Sequence, residues 1–411
     1  MTSGTILGDR FMSNRKKNLL LCFTFTAMIC FIIGSHEKYL LPDGIYMSII
    51  QEQPAIENLD ETELSIINRT KFIFIPVGVN VMWGYRFRSG RIGFIDAACP
   101  VSNCFISSNV TAKGEDNFDA FIFHAPRDSN LNNGKPEIVH NRRPDQVLIL
   151  FSMEPPYGLP NLTSFDGYFN WTISYLTDSD FHLPYGVIEP LPSAPSKKEE
   201  ISQLIENIDR SNINPARGKT KKILWMVSNC DAPSNRQDYV KELQKYIDVD
   251  IMSRGGKCGG NDTCSMIKNE DVCYDMMEKT YKFYLAFENS ICRDYVTEKF
   301  FNIISRNIVP IVLGGANYSA IAPQHSYINA LDFTPRQLAE YLWKIDANDT
   351  LYAEYFWWKP FYRVKNLQQT NAKVFCQLCA ALHNQPIKQQ THYGLQDWYK
   401  QESKCIDYKK F

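Results

Sequence analysis

The 411-residue sequence has no surplus of charge of either sign: 44 Lys and Arg face 45 Asp and Glu, for a net charge of −1. Holding nucleic acid by counterion release needs a basic field, so this balance argues against that class of partner. No G-x-G-x-x-G follows the first strand-like run of either half, and no G-x-x-x-x-G-K-S/T occurs. Dinucleotide and P-loop readings are therefore weak. The seven histidines are scattered and H-E-x-x-H is missing, which argues against a zinc hydrolase. There is no short-period repeat and no low-complexity tract. With 44 % hydrophobic and 13 % aromatic residues, the chain is neither disordered nor collagen-like.

One apolar run stands at the N-terminus. Asn18 to Gly34 contains no charge and no proline, and as a helix it spans roughly 25 Å, enough for a thin bilayer. Arg15, Lys16 and Lys17 precede it directly, while His36, Glu37 and Lys38 behind it balance. This predicts a cytoplasmic tail over 1–17, an uncleaved signal anchor over 18–34 and a lumenal remainder. The competing reading is a cleaved signal peptide. The run is longer than a usual h-region, and no small-x-small site follows it.

Cysteine and sequon content agree with the lumen. Cys22 and Cys30 lie in the apolar run. The other ten are Cys99, Cys104, Cys230, Cys258, Cys264, Cys273, Cys292, Cys376, Cys379 and Cys405, an even number as a disulfide set requires. Seven N-x-S/T sequons occur, at Asn68, Asn109, Asn161, Asn170, Asn261, Asn317 and Asn348. Asn170 precedes Trp171 in an apolar stretch, which predicts a buried, unmodified side chain.

Residues 35–70 are polar with isolated apolar positions and read as a stem. Short, near-continuous apolar runs then appear at Phe72 to Pro76, Ala120 to Phe123 and Val147 to Phe151. Such runs suit strands of a parallel sheet covered on both faces. Pro190, Pro192 and Pro195 and a charged segment ending at Lys222 mark a connection, 191–221, with one helix near 198–208. A second strand series follows at Ile223 to Val227, Lys282 to Phe287 and Ile308 to Leu313. Helical stripes separate these strands, as in Tyr239, Val240, Leu243, Tyr246 and Ile247. Two such series predict two α/β domains across a cleft, at 71–190 and 222–360, with a C-terminal segment at 361–411.

Cys376-Gln-Leu-Cys379 lacks both a thioredoxin-like strand and a second metal-binding pair, so structural disulfide bonding is expected, with connectivity open. Asp178-Ser-Asp180 could hold a metal on a diphosphate, but a polar turn after Phe169 to Tyr175 is the better reading. Residues 282–314 are the densest constellation. A buried strand runs into Glu288-Asn289-Ser290, and Tyr295-Val-Thr-Glu298-Lys299 opens a helix. Polar groups at a strand's carboxyl end beside a helix start suit a nucleotide site in an open α/β sheet. A carboxylate there can accept from ribose hydroxyls, and a lysine can neutralise a diphosphate without a metal. The competing reading makes Glu298 and Lys299 ordinary first-turn residues.

This stretch closely resembles the signature of the α1,3-fucosyltransferases that use GDP-fucose, glycosyltransferase family ten. Phe169 to Tyr175 with Asp178 to Asp180 and Pro184-Tyr-Gly186, and Val227-Ser-Asn229 followed by Arg236, match in the same order. The resemblance covers roughly residues 70–383. Lys257-Cys-Gly-Gly260, Cys264, Cys273 and the segment from Cys376 to Asn384 look most like the invertebrate and plant branch, which modifies the innermost N-acetylglucosamine of N-glycans.

The resemblance implies a GT-B fold of two Rossmann-like domains behind a single transmembrane helix, with acceptor in the first domain and GDP-fucose in the second. It implies inversion at the fucose anomeric carbon. Glu154, after the strand Val147 to Phe151, is the expected catalytic base; Pro155 stands where the family pattern has serine. Arg236 and Lys299 are expected on the pyrophosphate, Glu298 on the ribose, Asn289 and Tyr295 in the donor pocket, and His124 against the acceptor. The two-cation scheme needs no metal; a loosely bound Mn2+ could still help the leaving group, although no clear ligand motif asks for one. The implied setting is the Golgi membrane, single-pass type II, acting on glycoprotein N-glycans. Two alternatives stay open: α1,3-fucosylation of outer N-acetyllactosamine-type antennae, and a non-catalytic glycan-binding protein of the same fold.

Overall fold

The computed structural model describes residues 70–77, 87–112, 114, 117–125, 131, 142–208, 214–261, 270–384 and 391–407. The tail, the anchor at 18–34, nearly all of the stem, Asn68 and Cys264 lie outside the described residues. Among the described residues no helix is long and apolar enough to cross a membrane.

The first strand series builds a six-stranded parallel sheet. Its strands are β1 (Lys71–Phe74), β2 (Cys104–Ser107), β3 (Ala120–His124), β4 (Val147–Ser152), β5 (Trp171–Ser174) and β6 (Phe181–His182), in the order β2-β1-β3-β4-β5-β6. Every residue of β3 and β4 is buried, as central strands covered on both faces require. β2 was not among the expected strands: its four residues alternate buried and half-buried, and its parallel partner β1 supplies the pairing.

β7 (Gly186–Pro190) leads out of this unit, and the expected helix follows as α1 (Lys198–Glu206). The second series forms a five-stranded parallel sheet from β8 (Lys221–Met226), β9 (Val249–Met252), β10 (Tyr281–Phe287), β11 (Val309–Leu313) and β12 (Ile328–Asn329), in the order β12-β11-β10-β8-β9. β10 and β11 are buried throughout. Helices α2 (Arg236–Leu243) and α3 (Glu298–Ile304) start just beyond the carboxyl ends of β8 and β10. The stripe from Tyr239 to Ile247 is helical only to Leu243. Thr297 caps α3, accepting from the Lys299 amide, so the helix begins at Glu298, one residue after the cap.

The chain then returns to the first sheet. β13 (Tyr362–Asn366) pairs antiparallel with β7, and α4 (Leu367–His383) buries Val374, Phe375, Leu378, Cys379 and Leu382. Phe375 stacks on Phe87 at 4.4 Å between centroids. Cys376 and Cys379, one helical turn apart and hence on one face, bridge separately to Cys99 and Cys104. They are structural cross-links, and not a redox pair. Cys230–Cys258 and Cys292–Cys405 are also joined. The last described stretch contains α5 (Leu395–Ser403).

Candidate active site

Glu154 stands two residues beyond β4, at the carboxyl end of the first sheet. Its backbone is held from several sides. Tyr399 of α5 donates its hydroxyl to the Glu154 carbonyl at 2.8 Å, and Ser152 donates to the same oxygen at 3.2 Å. Tyr185 donates to the Met153 carbonyl at 2.7 Å. Pro155, which has no N–H to offer, opens a 3-10 turn at Pro156–Gly158. Tyrosine hydroxyls from separate segments therefore hold the loop.

Tyr295 links this loop to the second sheet. Its hydroxyl donates to Glu154 Oε2 at 3.3 Å. Its ring is 1 % exposed and meets Tyr175 and Tyr185 edge-on, with centroids 5.1 and 6.3 Å apart. Tyr295 was expected to line the donor pocket. Here it reaches across to the carboxylate of the first half. Burial, with Glu154 second, raises its phenol well above the usual value, so it stays a proton donor to that carboxylate.

Lys299 sits in a charged cluster at the start of α3. Its ammonium lies 2.9 Å from Glu298 Oε1, 2.8 Å from Thr297 Oγ1 and 3.5 Å from Glu288 Oε2. Burial lowers its proton affinity, but Glu298 and Glu288 outweigh that and raise it overall. The lysine is accordingly cationic at neutral pH. Glu298 is half exposed on the solvent side of the cluster. Glu288 is fully buried at the end of β10 and accepts from the Thr297 amide at 2.8 Å and from its hydroxyl. Burial pushes its carboxyl pKa up, against the pull of Lys299. Glu288 was not singled out as a site residue. A carboxylate ending a seven-residue buried strand is the signal that could have found it.

Arg236 opens α2 but is only 2 % exposed, so it is not a solvated helix charge. Its guanidinium donates to the carbonyls of Phe287 at 2.6 Å and Asn229 at 3.1 Å, pinning together the chain just past β8 and the end of β10. Burial lowers its pKa. Arg236 and Lys299 repel each other electrostatically, so their cationic charges share one region.

Four buried polar atoms around these strand ends have no hydrogen-bond partner among the described residues: Arg236 Nε, Asn289 Oδ1, Ser290 Oγ and the Tyr318 hydroxyl. Unpaired buried groups are costly, and a set of donors and acceptors beside two cations fits a polar, anionic ligand such as a nucleoside diphosphate. Gly314 and Gly315 border the same place. A Cβ at Gly314 would lie 2.6 Å from the Tyr318 hydroxyl, and one at Gly315 would lie 2.8 Å from the Cys292 amide. Close approach of the Cys292 backbone requires glycine at 315, while at 314 a side chain would have to displace the Tyr318 hydroxyl.

The remaining expectations sort differently. His124 is 5 % exposed at the end of β3 and lies tilted against Phe151, so it presents little surface to an acceptor. Asp178 pairs with Arg293, and Asp180 accepts from the Thr172 amide and hydroxyl, each at 2.8 Å, and pairs with His392 at 2.8 Å. The acidic triplet is thus a polar turn engaged in internal bonds. Among the described residues the one group with metal-ligand spacing is Cys104, Cys379 and His383, and its two sulfurs are already joined to each other. Asn170 is 2 % exposed and accepts from the Leu148 amide at 2.9 Å, whereas Asn109, Asn161, Asn261, Asn317 and Asn348 are exposed.

Comparison with known proteins places this geometry. Residues 77–186 match the fucosyltransferase N-terminal family, and residues 216–398 match the C-terminal part of glycosyltransferase family 10 (fucosyltransferase). The chain is 36 % identical over 318 residues to alpha-(1,3)-fucosyltransferase C of Drosophila melanogaster, covering 73 % of this chain and 70 % of that protein. It is 36 % identical over 335 residues to glycoprotein 3-alpha-L-fucosyltransferase A of the same fly, covering 79 % of this chain and 60 % of that protein. A crystal structure of an alpha1,3-fucosyltransferase superposes with a TM-score of 0.50 at 16 % identity, over 81 % of this chain and 94 % of that one, a likeness of fold. With two family matches that together cover well over half of its length, the chain belongs to glycosyltransferase family 10, the fucosyltransferases.

Proposed function

We propose that this fucosyltransferase moves fucose from GDP-fucose, with inversion and in α1,3 linkage, onto the innermost N-acetylglucosamine of N-glycans. The observation that carries the reading is the 3.3 Å contact between the Tyr295 hydroxyl and the Glu154 carboxylate. It brings a carboxylate from the end of β4 to the region where the second sheet gathers Lys299, Arg236 and the unpartnered polar atoms. In this reading the first unit, 71–190, receives the glycan and the second, 222–360, holds the nucleotide.

The chemistry follows from those positions. Glu154 takes the proton of the acceptor hydroxyl as its oxygen attacks the fucose anomeric carbon. The bond from that carbon to the phosphate oxygen breaks, and the electron pair leaves with GDP. Lys299 and Arg236 neutralise the charge that develops there. Asn289 offers an unpaired acceptor and Arg236 Nε an unpaired donor, and half-exposed Glu298 is placed to accept from ribose hydroxyls. The scheme needs no metal step.

The core-acceptor assignment is supported by the likeness of Lys257 to Gly260 and Cys376 to Asn384 to the invertebrate and plant branch, and by a fly relative named for glycoprotein substrates. The setting in this reading is the Golgi lumen, reached through an anchor at 18–34. Four disulfides among the described residues support an oxidising compartment. The test is an acceptor panel with linkage assigned by mass spectrometry. Fucose on the innermost N-acetylglucosamine of a bare-core glycan supports the reading. Transfer only to a substituted antenna replaces it with the outer-chain alternative, and donor binding without any transfer replaces it with the non-catalytic one.

A further inference from the structure

The last described residues reach the turn that follows the base. Tyr157 lies three positions after Glu154 in the turn Pro156–Gly158, and its side chain is 57 % exposed. Its hydroxyl donates to Asp407 Oδ1 at 2.8 Å, across 250 residues of sequence. Cys405, two residues before Asp407, is bridged to Cys292, and Ile406 pairs with Ile291. The residue that fixes Tyr157 is therefore itself anchored beside the donor-side loop. The turn also packs directly on the base: a Cβ at Gly158 would lie 3.0 Å from the Glu154 Cβ.

An exposed aromatic ring alone means little, since isolated apolar surface residues are common. A ring whose hydroxyl is tied to a carboxylate two residues from a disulfide is different, because its orientation is already set before anything binds. A tyrosine face offers a flat apolar surface with a polar edge, which matches the C–H face and hydroxyl rim of a pyranose. Asp407 is exposed and can accept from a sugar hydroxyl. We propose that Tyr157 and Asp407 form an acceptor subsite that stacks a pyranose ring next to the one receiving fucose. The proposal rests on the reading of Glu154 as the base of a glycan-modifying site.

The test compares full-length wild-type, Tyr157→Ala and Tyr157→Phe proteins, with KM for glycan acceptor and for GDP-fucose measured separately. Tyr157→Ala is expected to raise acceptor KM about tenfold, with kcat within about twofold and donor KM unchanged. Tyr157→Phe keeps the ring and loses only the tie to Asp407, so the expected rise is about threefold. Unchanged acceptor KM in Tyr157→Ala overturns the subsite, as does a donor KM that rises in step with it. Failure of the underlying function has a separate signature: Glu154→Gln would then transfer fucose at the wild-type rate, whatever the Tyr157 variants do.

Discussion

The two parallel sheets use their carboxyl ends in opposite ways. The first presents a carboxylate, Glu154, on a loop whose carbonyls are held by Tyr399, Ser152 and Tyr185. The second presents a concentration of charge and unpaired polarity: Lys299 between two carboxylates, a buried Arg236, and orphaned atoms on Asn289, Ser290 and Tyr318. A proton acceptor, the role proposed for Glu154, needs accurate placement of one group, and hydrogen bonds to the loop backbone would supply it. A departing diphosphate needs many groups oriented beforehand, and the second half tolerates unpaired buried atoms around that place. Among the described residues, this gathering of unpaired polar atoms beside two cations supports the proposal that the second half holds the nucleotide.

The largest expected effect breaks the first half of this comparison. Glu154→Gln keeps shape and removes the basic oxygen, so kcat should fall by about 10²–10⁴-fold while donor KM stays near wild type. A rate within a fewfold of wild type would leave the proton without an acceptor. Lys299→Ala breaks the second half. It removes the ammonium and leaves Glu288 facing Glu298, so kcat/KM for GDP-fucose should fall on the order of 10²-fold. Steady-state kinetics with varied donor measures it, and unchanged donor constants would contradict the cradle.

Much of this arrangement was legible in the sequence, and the failures have physical causes. Continuous apolar runs such as Val147 to Phe151 and Ile308 to Leu313 read as strands because both faces are covered. β2 was missed because Cys104–Ser107 is short and takes its definition from β1. The cluster from Glu288 to Lys299 was visible as polar residues at a strand end. Its internal wiring was not, because Glu288 acts through Thr297 and Lys299 once the loop between them has folded back. Tyr399 and Asp407 were invisible for a similar reason: they lie more than 240 positions from the loop they hold, and nothing local marks them. Arg236 was placed at the pyrophosphate by resemblance alone, and only tertiary structure shows it buried against Phe287 and Asn229.

Smaller effects sharpen the contrast. Tyr399→Phe removes one hydrogen bond to the Glu154 carbonyl and keeps the packing, so kcat should drop about 3- to 10-fold with donor KM unchanged. An equal loss in donor binding would show that Tyr399 supports the fold generally. The smallest expected effect concerns Asp180. Burial raises its pKa, but bonds from His392 and Thr172 overcome that and hold it below the usual value. Its folded-state pKa being depressed, the associated stability is present above the ordinary aspartate range and is lost as pH falls through the folded value. Asp180→Asn should lower Tm by roughly 1–3 °C at pH 7, with the gap closing in acid. A pH-independent gap would assign the loss to packing.

The most direct measurement of the division of labour is a titration of GDP into the wild-type, Glu154→Gln and Lys299→Ala proteins, with transfer measured on the same preparations. The expected result is wild-type affinity with turnover cut by about 10²–10⁴-fold in Glu154→Gln, and affinity weakened at least about tenfold in Lys299→Ala. Equal weakening in both variants, or undiminished GDP affinity in Lys299→Ala, would contradict the separation of the base from the nucleotide cradle.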